Sequence, residues 1–369
     1  MTTASGPDKS AMAALVARTR RDVDDGLLPS VQVALAYDGE VVVDETFGAP
    51  PDTRYVTFSV TKAFSGALAW LLMGDGRLDA GTRVVEVIPE FAGNGKQDVT
   101  VEHLLTHTAG FPRAPMRPEE GADREARVAR MATWRMDWPA GTQTEYHATS
   151  AHWPLVEIVD RLTGDDFRSV FAERIAEPLG LPLLTLGAPV QAQEGIARIS
   201  TVGNAEDGRG LGDHVKETGE EFLLRFNEPQ VLASGVPGAG AVARAADVAM
   251  FYQALLRNDG KVLDPDVVAD ATSNVRNRLV DPLFRVAANR TLGLVVAGDD
   301  DHAAVRGFGR GNSPHAFGAH GVGGQIAWAD PVTRLSFCYL TNGLDADVVA
   351  SFTRSAKVAG LAARCVPLG

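Results

Sequence analysis

Two kinds of hydrophobic pattern alternate along the chain. Residues 8–26 place apolar positions at helical spacing among Arg and Asp, which predicts an amphipathic helix. Ser30–Tyr37 and Glu40–Phe47 are β-rich runs joined by Asp38-Gly39, a hairpin signal. Ala63–Met73 is apolar on every side and predicts a buried helix, closed by Gly74-Asp75-Gly76. Residues 77–290 read mostly as helices broken by Pro and Gly, among them Val101–Thr106, His152–Thr163, Phe167–Ile175 and Ala245–Arg257. Near the end, Leu292–Ala297, Gly324–Ala329 and Leu335–Thr341 are short and β-rich, and Ala346–Ala363 fits a last helix. Strands at both ends with helices between them predict two lobes. Residues 1–60 and 286–369 would form an α/β lobe, and residues 61–285 an inserted, mostly helical one. A cleft between them is the natural site. Residues 201–230 are polar and acidic and predict a surface segment or cap.

Length supports this division, because 369 residues exceed one ordinary core. The formal charge of −12 argues against a nucleic-acid partner and against docking on anionic membranes. No apolar run is long enough to span a bilayer, and no basic-then-apolar leader opens the chain. The expected location is cytoplasmic. Cys338 and Cys365 show neither metal spacing nor a disulfide framework. His103 and His107 are four apart, but Leu104 stands where a zinc-protease motif needs Glu, so a structural role is expected. No cofactor and no metal are expected.

The chemistry concentrates in three places. Ser59-Val-Thr-Lys62 puts a hydroxyl and an amine on one face at the start of the buried helix. Free N–H groups there favour the anion that forms when Ser59 attacks a carbonyl. Pro139-Ala-Gly141 leads to Tyr146, whose phenol a neighbouring ammonium would acidify, so Tyr146 beside Lys62 could take the Ser59 proton. Phe317-Gly-Ala-His320-Gly-Val-Gly-Gly324 would let a strand backbone approach a substrate closely. No Ser sits in a Gly-x-Ser-x-Gly elbow, which disfavours an α/β-hydrolase.

Ser59-Val-Thr-Lys62, Leu104-Leu-Thr-His-Thr-Ala-Gly110, Pro139-Ala-Gly141 with Tyr146, and His320-Gly321 ahead of Asp330-Pro331 follow one another in family order. Together they resemble the serine β-lactamase and penicillin-binding-protein superfamily, class C-like branch, nearest its family VIII carboxylesterases. Gly235-Val-Pro-Gly-Ala-Gly240 resembles that branch's glycine loop. The resemblance implies a β-lactamase/transpeptidase-like fold, with an antiparallel sheet flanked by terminal helices and an inserted helical lobe. It implies an acyl-enzyme on Ser59, proton handling by Lys62 and Tyr146, and an oxyanion hole from the N–H groups of Ser59 and Gly323. His320, Gly321, Val322 and His147 would contact substrate.

The sequence departs from the family at two points. Ala148 replaces the Asn of Tyr-x-Asn, and His320 replaces the Lys of the third motif. Ala148 offers no side-chain hydrogen bond, and His320 is mostly neutral at pH 7. Both losses favour a small or medium carboxylic ester over a β-lactam or peptidoglycan stem. An acyltransferase, amidase or peptide cyclase would use the same acyl-enzyme. His152 and His315 could also line the cleft, and Trp134, Trp138 and Phe317 are candidates for an acyl pocket. Oligomeric state stays open.

Overall fold

The computed structural model describes residues 6–203 and 219–368. Its first helix, α1 (Lys9–Asp24), is capped by Asp8, whose side chain accepts from the Ala11 N–H. The hairpin strands follow as β1 (Val31–Tyr37) and β2 (Glu40–Phe47). Four further strands come from the end of the chain: β3 (Val295–Val296), β4 (Phe317–His320), β5 (Ile326–Asp330) and β6 (Leu335–Thr341). They form one antiparallel sheet in the order β2-β1-β6-β5-β4-β3. The ends of the chain meet where β1 pairs with β6, from Val31 opposite Thr341 to Tyr37 opposite Leu335.

Alternation along β1 sends its side chains to two cores. Val33 and Leu35 join Trp328 and Phe337 under α1 and the last helix, α5 (Val348–Ala363). Ala34 and Ala36 face the opposite way, into the larger core shared with α4 (Ala245–Arg257). The small alanines let α4 lie close enough for Gln253 to donate to the Ala36 carbonyl at 2.8 Å and to Ser336 Oγ at 3.0 Å. This placement alters the division read from the sequence. α4 falls within residues 61–285, expected to form the helical lobe, yet it covers the sheet.

The buried helix is α2 (Thr61–Gly74), which packs against α3 (His152–Thr163). Three readings of the sequence need correction. Gly324–Ala329 begins as a strand only at Ile326, because Gly323 and Gly324 turn with φ of 80° and 91°. Leu292–Ala297 shortens to Val295–Val296, after a turn at Gly293 with φ of 99°. Phe167–Ile175 is a short helix to Phe171 followed by a π-turn over Ala172–Ala176.

A three-stranded sheet of Tyr55–Val56, Ala241–Ala243 and Thr185–Leu186 was not foreseen, since strands this short leave no period to read. It clamps the segment entering Ser59 onto the one leaving the glycine loop. Of the acidic stretch 201–230, residues 204–218 lie outside the described part. The rest includes the helices Glu220–Leu224 and Pro229–Ser234. Among the described residues no helix is long and apolar enough to cross a membrane. Cys338 and Cys365 are both free and buried.

Candidate active site

Ser59 sits in a single 3₁₀ turn, Phe58–Val60, that runs straight into α2. Phe58 has φ of 43°, a left-handed conformation rare for a bulky residue. Such strain persists only where the surroundings enforce it. Here the Thr57 N–H donates to the Ala241 carbonyl at 2.9 Å, and the Phe58 ring packs edge-on to Phe226 at 5.6 Å. The kink leaves Ser59 half-exposed while Phe58 and Val60 are buried.

One turn on, Lys62 is buried among hydrogen-bond acceptors. Its Nζ lies 3.2 Å from Ser59 Oγ, 2.7 Å from the Ala148 carbonyl and 2.9 Å from the Gly238 carbonyl. The second contact explains how position 148 still serves without an amide side chain: its backbone holds the lysine. The third gives the glycine loop its purpose. A Cβ at Gly238 would stand 2.7 Å from the Ala148 oxygen, so only glycine lets the two loops converge on Nζ.

Tyr146 completes the group. Its hydroxyl faces Lys62 and Ser59, and Lys62 Nζ is 4.8 Å from its ring centre. Burial alone would raise its pKa. The Lys62 charge, the hydrogen bonds from Lys62 and Ser59, and the Arg290 charge outweigh burial and bring the phenol below its ordinary value. Burial also lowers Lys62, against the pull of Tyr146. The two therefore titrate as a pair that gives up one proton more readily than either side chain in water.

Behind Tyr146 lies a histidine shelf. His107, with φ of 60°, stacks on the Tyr146 ring at 4.8 Å. Its Nδ1 accepts from the His147 N–H at 3.0 Å. His147 Nε2 accepts from the Phe111 N–H at 3.2 Å, and its Nδ1 faces the Glu145 carbonyl at 2.7 Å. His147, expected to touch substrate, is fully buried and holds the Tyr146 loop from below instead. His103 and His107 serve separate loops, with His103 Nδ1 accepting from Thr100. His152 is buried, whereas His315 is exposed on the surface. Trp134, Trp138 and Phe317, weighed as an acyl pocket, are buried in the core.

The shelf has a cost in acid. Burial lowers His147 to about 3 and pushes His107 and His152 well below the usual histidine value. Between pH 6.5 and about 3 the unfolded chain binds protons that the folded chain refuses. Stability therefore falls as pH drops through that window, by up to about 1.4 kcal/mol per histidine per pH unit. Urea midpoints should drop clearly between pH 7.0 and 5.5, before carboxylates titrate. A flat midpoint over that range would show that the shelf is not held neutral.

The third segment ends β4. Gly321 is extended, with φ of −127° and ψ of 162°, and its N–H donates to the Gln325 carbonyl at 2.7 Å. A Cβ at Gly321 would lie 2.9 Å from the Ser59 nitrogen, so this is the glycine pressed against the nucleophile's backbone. Gly323, expected as an oxyanion donor, lies in the turn that follows, with φ of 80°. Its turn carries it to Leu344 and the Gly343 carbonyl, where an added Cβ would meet both within 3.4 Å. His320 stands between Phe284 and Phe352, at 5.9 and 5.3 Å, and burial lowers it to about 4. It is neutral at pH 7.

One residue at the site escaped the sequence reading. Arg290 Cζ lies 5.3 Å from the Tyr146 ring centre, and the side chain is buried. It stands alone in its segment, with no partner at motif spacing to mark it. Two surface hollows, of about 640 and 420 Å³, lie elsewhere and are lined by charged residues such as Glu157 and Arg354 that already pair with neighbours. Among the described residues, no cluster of three potential metal ligands occurs.

Comparison with known proteins agrees with this geometry. A family model described as Beta-lactamase matches residues 15–360. The "Esterase/beta-lactamase LipL" of Mycobacterium tuberculosis is 28% identical over 346 residues, covering 85% of this chain and 76% of its own. A "Putative D-alanyl-D-alanine carboxypeptidase" of Escherichia coli is 27% identical over 335 residues, covering 84% of this chain and 73% of its own. A solved family VIII carboxylesterase superposes with a TM-score of 0.80 at 26% identity, over 98% of this chain and 99% of that one.

Proposed function

Because the chain belongs to the beta-lactamase family and carries a serine-hydrolase site on that fold, we propose that it cleaves small or medium carboxylic esters through an acyl-enzyme on Ser59. The observation that carries this reading is the convergence of Lys62 and Tyr146 on the Ser59 hydroxyl. Ser59 Oγ attacks the ester carbonyl while its proton passes to the Tyr146–Lys62 pair. The negative charge on the carbonyl oxygen would be met by the N–H groups of Ser59 and Gly323. The C–O bond to the alcohol then breaks, and the pair returns the proton to the departing alkoxide. Water repeats the sequence in reverse, losing its proton to the same pair and freeing the acid and Ser59.

Esters suit the site better than β-lactams for a physical reason. An alkoxide leaves with less help than an amine. The position that holds a permanent cation in β-lactam-processing relatives carries His320, neutral and wedged between two aromatic rings. Ala148 gives its carbonyl to Lys62 and has no amide to offer a substrate side chain. Parallel assays with p-nitrophenyl butyrate and nitrocefin test this. Ester turnover should exceed nitrocefin turnover by orders of magnitude, and comparable rates would overturn the preference.

A further inference from the structure

His107 touches every residue from Thr144 to His147, the stretch that carries the candidate base. Its carbonyl accepts from Thr144 Oγ at 3.3 Å and from the Glu145 N–H at 3.4 Å. Its ring stacks on Tyr146 at 4.8 Å, with 29° between the planes, and its Nδ1 accepts from the His147 N–H at 3.0 Å. The first two residues are held by the His107 backbone and the next two by its ring. Serving both takes an unusual conformation. The helix Val101–Leu105 ends just before, and His107 has φ of 60°. Left-handed backbone is unfavourable for a residue with a Cβ and persists where contacts over-determine it. Neighbouring contacts lay the same two segments together. The Gly141 N–H donates to the Thr108 carbonyl at 2.9 Å and the Asp137 N–H to the Gly110 carbonyl at 2.7 Å. The Asn277 side chain donates to the Thr106 carbonyl at 2.8 Å and to Thr144 Oγ at 2.9 Å.

Accepting at Nδ1 fixes the tautomer, so the single ring proton of His107 sits on Nε2. A second proton would set an Nδ1–H against the His147 N–H. Burial opposes that charge, and so do Arg290, His147, His152 and Lys62, which leaves the ring neutral at pH 7. The phenolate form of Tyr146 is then answered by Lys62 and Arg290, with Nζ and Cζ at 4.8 and 5.3 Å from the ring centre. Those attractions weaken as soon as the phenol moves away. We propose that His107 is a positioning residue of the reaction, holding the Tyr146 hydroxyl in register with Ser59 and Lys62 without exchanging a proton itself. The role rests on Ser59 being the acylated residue and Tyr146 its base.

The test is His107→Asn, because Asn tolerates left-handed backbone and so keeps the carbonyl contacts while losing the ring. Rates are taken per active site, counted by fluorophosphonate labelling of Ser59. For p-nitrophenyl butyrate, kcat should fall by roughly 10- to 100-fold, the cost of misplacing a reacting group by about an ångström, with KM little changed. The rising limb of kcat/KM against pH should move up, towards the ordinary tyrosine value of about 10, as the phenol drifts from Lys62 and Arg290. His107→Phe should recover part of both effects, since it restores the stacked face and still offers the His147 N–H no acceptor. Thr144→Val keeps both rings and cuts the bond to the His107 carbonyl, so it should shift the limb the same way by less. A limb unmoved in both His107→Asn and Thr144→Val would overturn the proposal, because a residue that only supports the fold changes the number of working sites and not their pH profile.

A measurement without turnover completes the test. Tyrosinate absorbance, taken as the difference between each protein and its Tyr146→Phe counterpart, reads this one phenol in the absence of ester. Its titration should shift upward in His107→Asn and return part of the way in His107→Phe. An unshifted phenol would count against positioning even where turnover fell. The two readouts keep the two failures apart. Absence of any Ser59 label in wild type would sink the esterase reading, and the phenol titration would still show whether His107 sets the place of Tyr146.

Discussion

Replacing Ser59 with Ala should abolish ester turnover, by at least about 10⁴-fold in kcat. It should also remove the acyl adduct that intact-protein mass spectrometry finds on wild type. The size of the effect follows from the absence of a substitute. In the structure the Lys62–Tyr146 pair is aimed at Ser59 Oγ, and water in that place would lack the preset attack geometry. The fold should survive, because Ser59 is partly exposed and, among the described residues, its Oγ contacts only this pair. An unchanged melting temperature with lost turnover is the expected outcome. Retained turnover would move the nucleophile elsewhere and end the acyl-enzyme account.

Tyr146→Phe should lower kcat/KM by about 10²- to 10⁴-fold, the usual contribution of a positioned acid–base group. The ring stacked on His107 and beneath Arg290 is kept, so the loss reports on the hydroxyl alone. The pH profile makes the test sharper. The competent form is the pair with one proton removed, so wild-type kcat/KM should rise with pH and then level off. That limb should lie below the range of an isolated tyrosine near 10, because Lys62, its hydrogen bond, Ser59 and Arg290 overcome the burial that would raise the phenol. In Tyr146→Phe the limb should vanish or move with Lys62. Lys62→Met should be at least as damaging. It removes the charge that acidifies Tyr146 and leaves the Ala148 and Gly238 carbonyls without their donor. A Tyr146→Phe variant with wild-type rate and profile would leave Lys62 as the sole base.

Much of this site was legible before any coordinates. Ser59 and Lys62 are three apart at a helix start, and local geometry alone puts them on one face. The apolar run Ala63–Met73 announced its own burial, and the helix follows it closely as Thr61–Gly74. Asp38-Gly39 fixed the hairpin for the same local reason. The glycines after Phe317 signalled a close backbone approach. Which glycine approaches what depended on where a turn falls within a few residues. Gly321 meets the Ser59 backbone, while Gly323 turns beside Leu344.

Contacts between segments far apart in the chain could not be read this way. Lys62 reaches the Gly238 carbonyl across 176 positions, and no periodicity records such a pairing. Histidine identity said nothing about burial, so His147 looked like a cleft residue until its ring was found fastened between Phe111 and Glu145. Arg290 gave no signal at all, since an isolated arginine in a sequence is usually a solvated one. The sequence by itself determined the local elements, the reactive trio and the loss of the family's Asn and Lys, because these are properties of neighbours and residue types. Only the tertiary structure decided how β1 and β6 close the sheet, which glycine is pressed against Ser59, and that Arg290 is buried beside the Tyr146 ring. Those outcomes depend on distance in space, and chain folding sets that distance independently of separation along the sequence.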